Sequence, residues 1–214
     1  MVRPKKNLNT PEARQRMIDS FWELLEEYRY GEITVGMIVN RAGCSGGTFY
    51  YHFDSIEDLL YSALEDEFLN DSGFIADCLN LLTGADASAA NNMLNEDRLQ
   101  HVFLAVRQGA SEQVSSSVKS IILDMWRTIL CPDGEELAQD TRLIIEYTYS
   151  GTLGVLTYYE EKLGKGEDVN INLDLVSEVS SSMLERISEA QGVPVDEILT
   201  RLKILTQLSK TAGV

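Results

Sequence analysis

Residues 33–60, ITVGMIVNRAGCSGGTFYYHFDSIEDLL, constrain the fold more than any other stretch of the chain. Thr34 is placed to cap a short helix with its hydroxyl. Ile38 and Ala42, four apart, share one face of that helix. Gly43 follows, the residue type that ends a helix in the left-handed conformation at least steric cost. Ser45 is then the natural cap of a second short helix over residues 46–52. On it Phe49 and Phe53 point back to a small core, while Thr48, Tyr51 and His52 fall on the outer side, with Tyr50 near the boundary. Asp54 or Ser55 starts a further helix whose first turn holds Glu57 and Asp58, as the helix dipole favours. Two short helices joined across a glycine turn make a helix-turn-helix, whose second helix can lie in the major groove of DNA.

The stretch resembles the N-terminal domain of the TetR family of bacterial transcriptional regulators. Thr34, Ala42, Gly43, Ser45, the segment Gly47-Thr48-Phe49-Tyr50, the pair His52-Phe53 and the run Glu57-Asp58-Leu59-Leu60 carry the resemblance, in register without a gap. It implies an all-α chain: a basic flexible arm at 1–9, a three-helix DNA-binding domain at 10–62, and a larger helical ligand-binding and dimerisation domain at 63–214. It implies a homodimeric regulator, a repressor released from a palindromic double-stranded operator by a small-molecule effector, with no cofactor. In that reading Thr34, Thr48, Tyr50 and His52 meet phosphates, Ser45, Gly46, Gly47 and Tyr51 face base edges, and Lys5 and Lys6 of the arm add charge. The chain departs from the family pattern at Gly36 and Gly46, where relatives often carry a long polar or basic side chain. It departs again at Asp54 and Ile56, where a lysine beside the phosphates is common. These departures motivate a second reading, a TetR-like ligand-sensing or protein-interaction scaffold with weak or lost operator binding.

The preceding residues fit a helix that completes the domain. Thr10-Pro11 is a good helix start, and Met17, Phe21, Leu24, Leu25 and Tyr28 repeat at spacings of three and four, with Gly31 closing the run. Net charge is −16, an unusual balance for a DNA binder, since phosphate contacts need cations. Its distribution is uneven. Residues 1–16 hold five basic groups against Glu12 alone, whereas residues 17–62 hold two basic and eight acidic. The cationic footprint therefore lies in the arm and the start of the first helix, as arms that reach phosphates or the minor groove do in other motifs.

Beyond residue 59 the pattern stays helical. One long helix is expected over 59–82 and a polar loop over 83–95, then helices over 98–107, 111–130, 135–163, 172–191 and 195–210. In the 135–163 helix the small residues Ser150, Gly151 and Gly154 sit among Tyr147, Leu153, Leu156 and Tyr158, a pattern that admits a closely packed partner helix. The 172–191 helix offers Leu173, Val176, Val179, Met183, Leu184 and Ile187 as a second seam. The family resemblance makes these the dimer helices, with Tyr147, Gly151, Leu153, Gly154, Tyr158, Val176 and Met183 at the interface. His101, Phe103, Trp126 and Tyr147 are candidates for the effector pocket, as apolar rings with a few polar handles.

Catalytic and metal-binding readings lack support in the chain. Its two histidines, His52 and His101, are far apart, and its three cysteines show no metal-ligand spacing. The Gly43–Gly47 run joins helix to helix without the strand that precedes a phosphate loop. No catalytic residue and no metal ligand is assigned. No apolar run approaches the ~20 residues of a membrane span, and the N-terminus has no apolar leader core. An odd, widely spaced cysteine count then predicts a reduced, cytoplasmic setting.

Overall fold

A computed structural model of the chain describes residues 11–69, 76–77, 80, 96–165 and 173–212. The chain is all-helical among them: α1 (Pro11–Glu27), a 3-10 turn (Tyr30–Glu32), α2 (Val35–Ala42), α3 (Gly46–His52), α4 (Ile56–Leu69), α5 (Glu96–Arg107), α6 (Ser111–Leu130), α7 (Gln139–Gly164), α8 (Leu173–Gln191) and α9 (Val195–Ala212). The expected arm, the far half of the helix predicted over 59–82, and the loop predicted over 83–95 lie outside the described residues apart from 76, 77 and 80. Residues 135–138, expected to open α7, are not helical; that helix begins at Gln139.

The chain divides into two compact units, Met1–Glu67 with Glu96–Val118, and Phe68–Asn95 with Lys119–Val214. The first unit is built on the apolar stripe of α1. Met17, Phe21 and Leu25 are fully buried, as are Ile38 of α2, Phe49 of α3, and Leu59, Leu60 and Leu64 of α4. Tyr28 was expected in this stripe but is exposed, because α1 ends at Glu27. Tyr30 is buried in its place, edge-on to Phe21 with ring centroids 6.3 Å apart. Burial, with Glu57 adding to it, pushes the Tyr30 phenol up to about 12.

The first unit extends past the expected boundary at residue 62, because α5 is tied to the N-terminal helices. His101 of α5 stacks on the Trp22 indole, with centroids 4.3 Å apart and planes 8° from parallel. Its Nδ1 pairs with the Glu67 carboxylate of α4. The Tyr30 N–H donates to the Gln108 carbonyl at 2.9 Å just past the end of α5.

The second unit has its own core. Trp126, Ile129 and Leu130 of α6 pack with Ile145 of α7, Leu184 and Ile187 of α8, and Ile198 and Leu202 of α9. Arg201 of α9 donates to the Ile129 carbonyl at 2.7 Å, satisfying an orphan acceptor at the end of α6 where the helix dipole also favours a cation. Gln191 closes the intervening turn by accepting from the Ala138 N–H at 2.9 Å.

Candidate nucleic-acid interface

The geometry of the helix-turn-helix follows from its caps. The Thr34 hydroxyl accepts from the Met37 N–H at 3.3 Å and starts α2. Gly43 ends that helix at φ 64°, ψ 35°, and the Cys44 N–H returns to the Val39 carbonyl at 2.9 Å. Ser45 then starts α3 by accepting from the Thr48 N–H at 3.1 Å. Ser55 accepts from the Asp58 N–H at 3.1 Å to start α4, while Asp58 accepts from the Asp54 N–H at 2.9 Å. Every joint around α3 is thus fixed by a hydrogen bond, and the helix is held from behind by Phe49 and Phe53.

Two glycines here have opposite expected behaviour. Gly43→Ala forces a Cβ into the left-handed region and is expected to lower stability by about 1 kcal/mol. Gly46 is helical, and a Cβ there meets nothing within 4 Å. Gly46→Ala is expected to raise stability by up to about 1 kcal/mol. Thermal melts of the two variants check the pair, and equal signs would contradict the assigned turn.

The structure sorts the expected contact residues. Thr34, Ser45, Gly46 and Gly47 are exposed, as are Tyr50 at 62 % and Tyr51 at 65 %. Thr48 was expected on the outer face and is not there. It is only 2 % exposed, with its hydroxyl 2.9 Å from the Ser45 oxygen, because it lies in the first turn facing its own cap. His52 also turns inward: it is half-buried, and its Nε2 is enclosed with no protein partner. Lys5 and Lys6 lie outside the described residues.

Burial, and then the Arg14 charge, lower the His52 pKa from its usual value of 6.5. The neutral imidazole is therefore the form the fold favours. A base with a depressed folded pKa contributes stability that is present above its unfolded pKa and is lost as pH falls below about 6.5. The drop in melting temperature between pH 7.5 and 5.5 is expected to be smaller in His52→Gln than in the parent chain. Identical drops would show that His52 does not carry this dependence.

The cations of the first helices are engaged internally, which the sequence did not reveal. Arg14 pairs with Asp66 and lies over the Phe53 ring at 5.8 Å. Arg16 donates to the Ala42 carbonyl at 3.2 Å, stapling α1 to the turn. Arg41 forks onto Glu27 at 2.8 and 3.0 Å, and that hydrogen bond holds the Glu27 carboxyl below its usual range. Both arginines near the start of α1, counted above as part of the cationic footprint, thus serve packing.

The remaining candidates separate by unit. His101 and Phe103 are half-buried in the first unit. Trp126 is packed into the core of the second, and Tyr147 is 80 % exposed, so these last two do not line a common cavity. An open cleft of about 200 Å³ in the second unit is lined by Ser120, Leu123, Asp124, Arg127, Glu136, Leu137 and Arg142. Its arginines are taken up by Asp124, Glu136 and Glu146.

Of the interface candidates, Tyr147, Gly151, Gly154 and Tyr158 are exposed on α7. The Leu153 and Val176 side chains lie outside the described residues. Met183 is half-buried against the core of its own unit. Leu143, which sequence reasoning missed, is exposed four residues before Tyr147 and extends the same stripe. On α8 the apolar positions face two ways: Leu184 and Ile187 are core, whereas Leu175 and Val179 are exposed.

A short helix capped at Ser45, set on a glycine turn and backed by a phenylalanine pair, defines a helix-turn-helix reading head. Residues 18–63 match the model of the tetR family of bacterial regulatory proteins. Over these residues the chain carries a helix-turn-helix domain of the TetR type. No curated protein matches the chain. Among the described residues, no helix is long and apolar enough to cross a membrane.

Proposed function

We propose that the protein is a homodimeric transcription regulator, a repressor released from a palindromic operator by a small-molecule effector in a cytoplasmic setting. The observation that carries the DNA-reading part is α3 itself, a rigidly capped helix with Tyr50 and Tyr51 exposed in a TetR-type domain. Thr34, Ser45, Gly46, Gly47, Tyr50 and Tyr51 make the contact surface, with Lys5 and Lys6 of the arm adding charge. A dimer is supported by the exposed stripe Leu143, Tyr147, Gly151, Gly154 and Tyr158 on α7, beside Leu175 and Val179 on α8. Two copies place two reading heads on half-sites about one DNA turn, ~34–36 Å, apart.

Release follows from differential affinity: an effector that binds the DNA-incompetent arrangement more tightly shifts the population toward it. The ties from α4 and α5 to Trp22 support this route, since a displacement of either helix reaches α1. A second reading, a sensing or interaction scaffold with weak operator binding, is favoured by the internal pairing of Arg14 and Arg41.

Selection of bound sequences from a random duplex pool, at low and moderate salt, tests the two. Recovery of an inverted repeat supports the regulator, and no enrichment from a folded dimer supports the scaffold.

A further inference from the structure

We infer that the reading helix specifies its operator through the Tyr51 ring against thymine 5-methyl groups, rather than through hydrogen-bonded guanine or adenine. This rests on the DNA-reading function proposed above. Arg or Lys on guanine and Asn or Gln on adenine are the side chains that read those bases bidentately in the major groove. α3, Gly46 to His52, contains none of the four. Its composition narrows further on folding. Thr48 and Phe49 are buried, His52 turns its Nε2 inward, and Gly46 and Gly47 have no side chain.

The exposed side chains left on the helix are Tyr50 and Tyr51, with the short Ser45 at its cap. Of the guanidiniums of the same unit, Arg14 pairs with Asp66, Arg16 donates to the Ala42 carbonyl, and Arg41 at the end of α2 is forked onto Glu27. Tyr50 is 62 % exposed and leans edge-on against the buried Phe49, with centroids 5.4 Å apart. Tyr51, edge-on to His52 at 4.9 Å, sits one step round the helix from it. With no Cβ at 46 or 47 to hold the duplex off, the Tyr51 ring, 65 % exposed against 62 % for Tyr50, is an apolar group that the helix offers to the bases. Among the bases, thymine alone presents a methyl in the major groove. Half-sites are accordingly expected to carry thymines at the positions that α3 faces.

The test uses the full chain and the sequence recovered by selection. Replacing each half-site thymine in turn by deoxyuridine removes the methyl and leaves both hydrogen-bonding edges intact. At least one replacement is expected to weaken binding about fourfold, the worth of one buried methyl. Tyr51→Phe is expected to retain affinity within about threefold, and Tyr51→Ala to lose at least about tenfold and become insensitive to the deoxyuridine change. Tyr51 is exposed, so melting should not move, and the DNA-side replacement leaves the protein untouched. Three results overturn the inference: a preferred half-site fixed by G·C pairs, indifference to deoxyuridine throughout, or Tyr51→Phe losing as much as Tyr51→Ala. Failure to recover any sequence refutes the regulator reading itself, and this inference with it.

Discussion

Placing Leu143→Arg and Val179→Arg together on the exposed faces of α7 and α8 is expected to yield a monomer whose operator affinity is lower by about a hundredfold or more. Both side chains are well exposed in the single chain, at 65 % and 53 %, so neither supports the fold of its own subunit. In a two-fold dimer each substitution occurs twice, and four guanidinium groups would have to leave water without an arranged partner. The apolar contribution lost with each side chain is about 1.5–3 kcal/mol if it is fully covered. Losing the dimer also removes the effective concentration with which one bound head recruits the second. Light scattering after size exclusion, with duplex titration on the same sample, checks the result. A persistent dimer with unchanged melting would place the interface elsewhere.

Deleting residues 1–8 is expected to weaken operator binding at least about tenfold at ~0.1 M salt and to flatten its salt dependence. The structure strengthens this expectation. Arg14, Arg16 and Arg41 are each committed to a partner within the first unit, which leaves Arg3, Lys5 and Lys6 to supply much of the attraction to phosphate. Each cation that contacts phosphate contributes about 0.9 to the slope of log affinity against log salt, so up to about 2.7 per subunit is at stake. Titrations at several salt concentrations measure the slope. An unchanged slope would mean that the arm does not touch DNA, and the weight would pass to the scaffold reading.

Local chemistry is why so much of the reading head was legible in the sequence. A serine or threonine before a helix, a glycine after it and a phenylalanine pair four apart act within a few residues of themselves. Thr34, Gly43, Ser45 and Phe49 with Phe53 accordingly stand in the structure as the sequence placed them. Thr48 and His52 did not follow the same logic. Both are polar residues whose facing was inferred from polarity, yet one is drawn to its own cap and the other is enclosed beside Arg14.

The longer helices show the complementary limit. Periodicity placed α6 at its observed ends, 111–130, and put α8 and α9 within a residue or two of theirs. It did not separate the two apolar faces of α8, because Val179 and Leu184 look equally fit for a core. Which of them is covered depends on where α6, α7 and α9 lie. The destination of a charge is equally non-local: Arg14 finds Asp66 across 52 residues and Arg41 finds Glu27 across 14. The sequence by itself determined the helices, their caps and the type of the reading head, since those depend on neighbours along the chain. Only the tertiary structure decided which cations were occupied, which tyrosines stood exposed and how far the first unit extended, since each depends on contacts between distant residues.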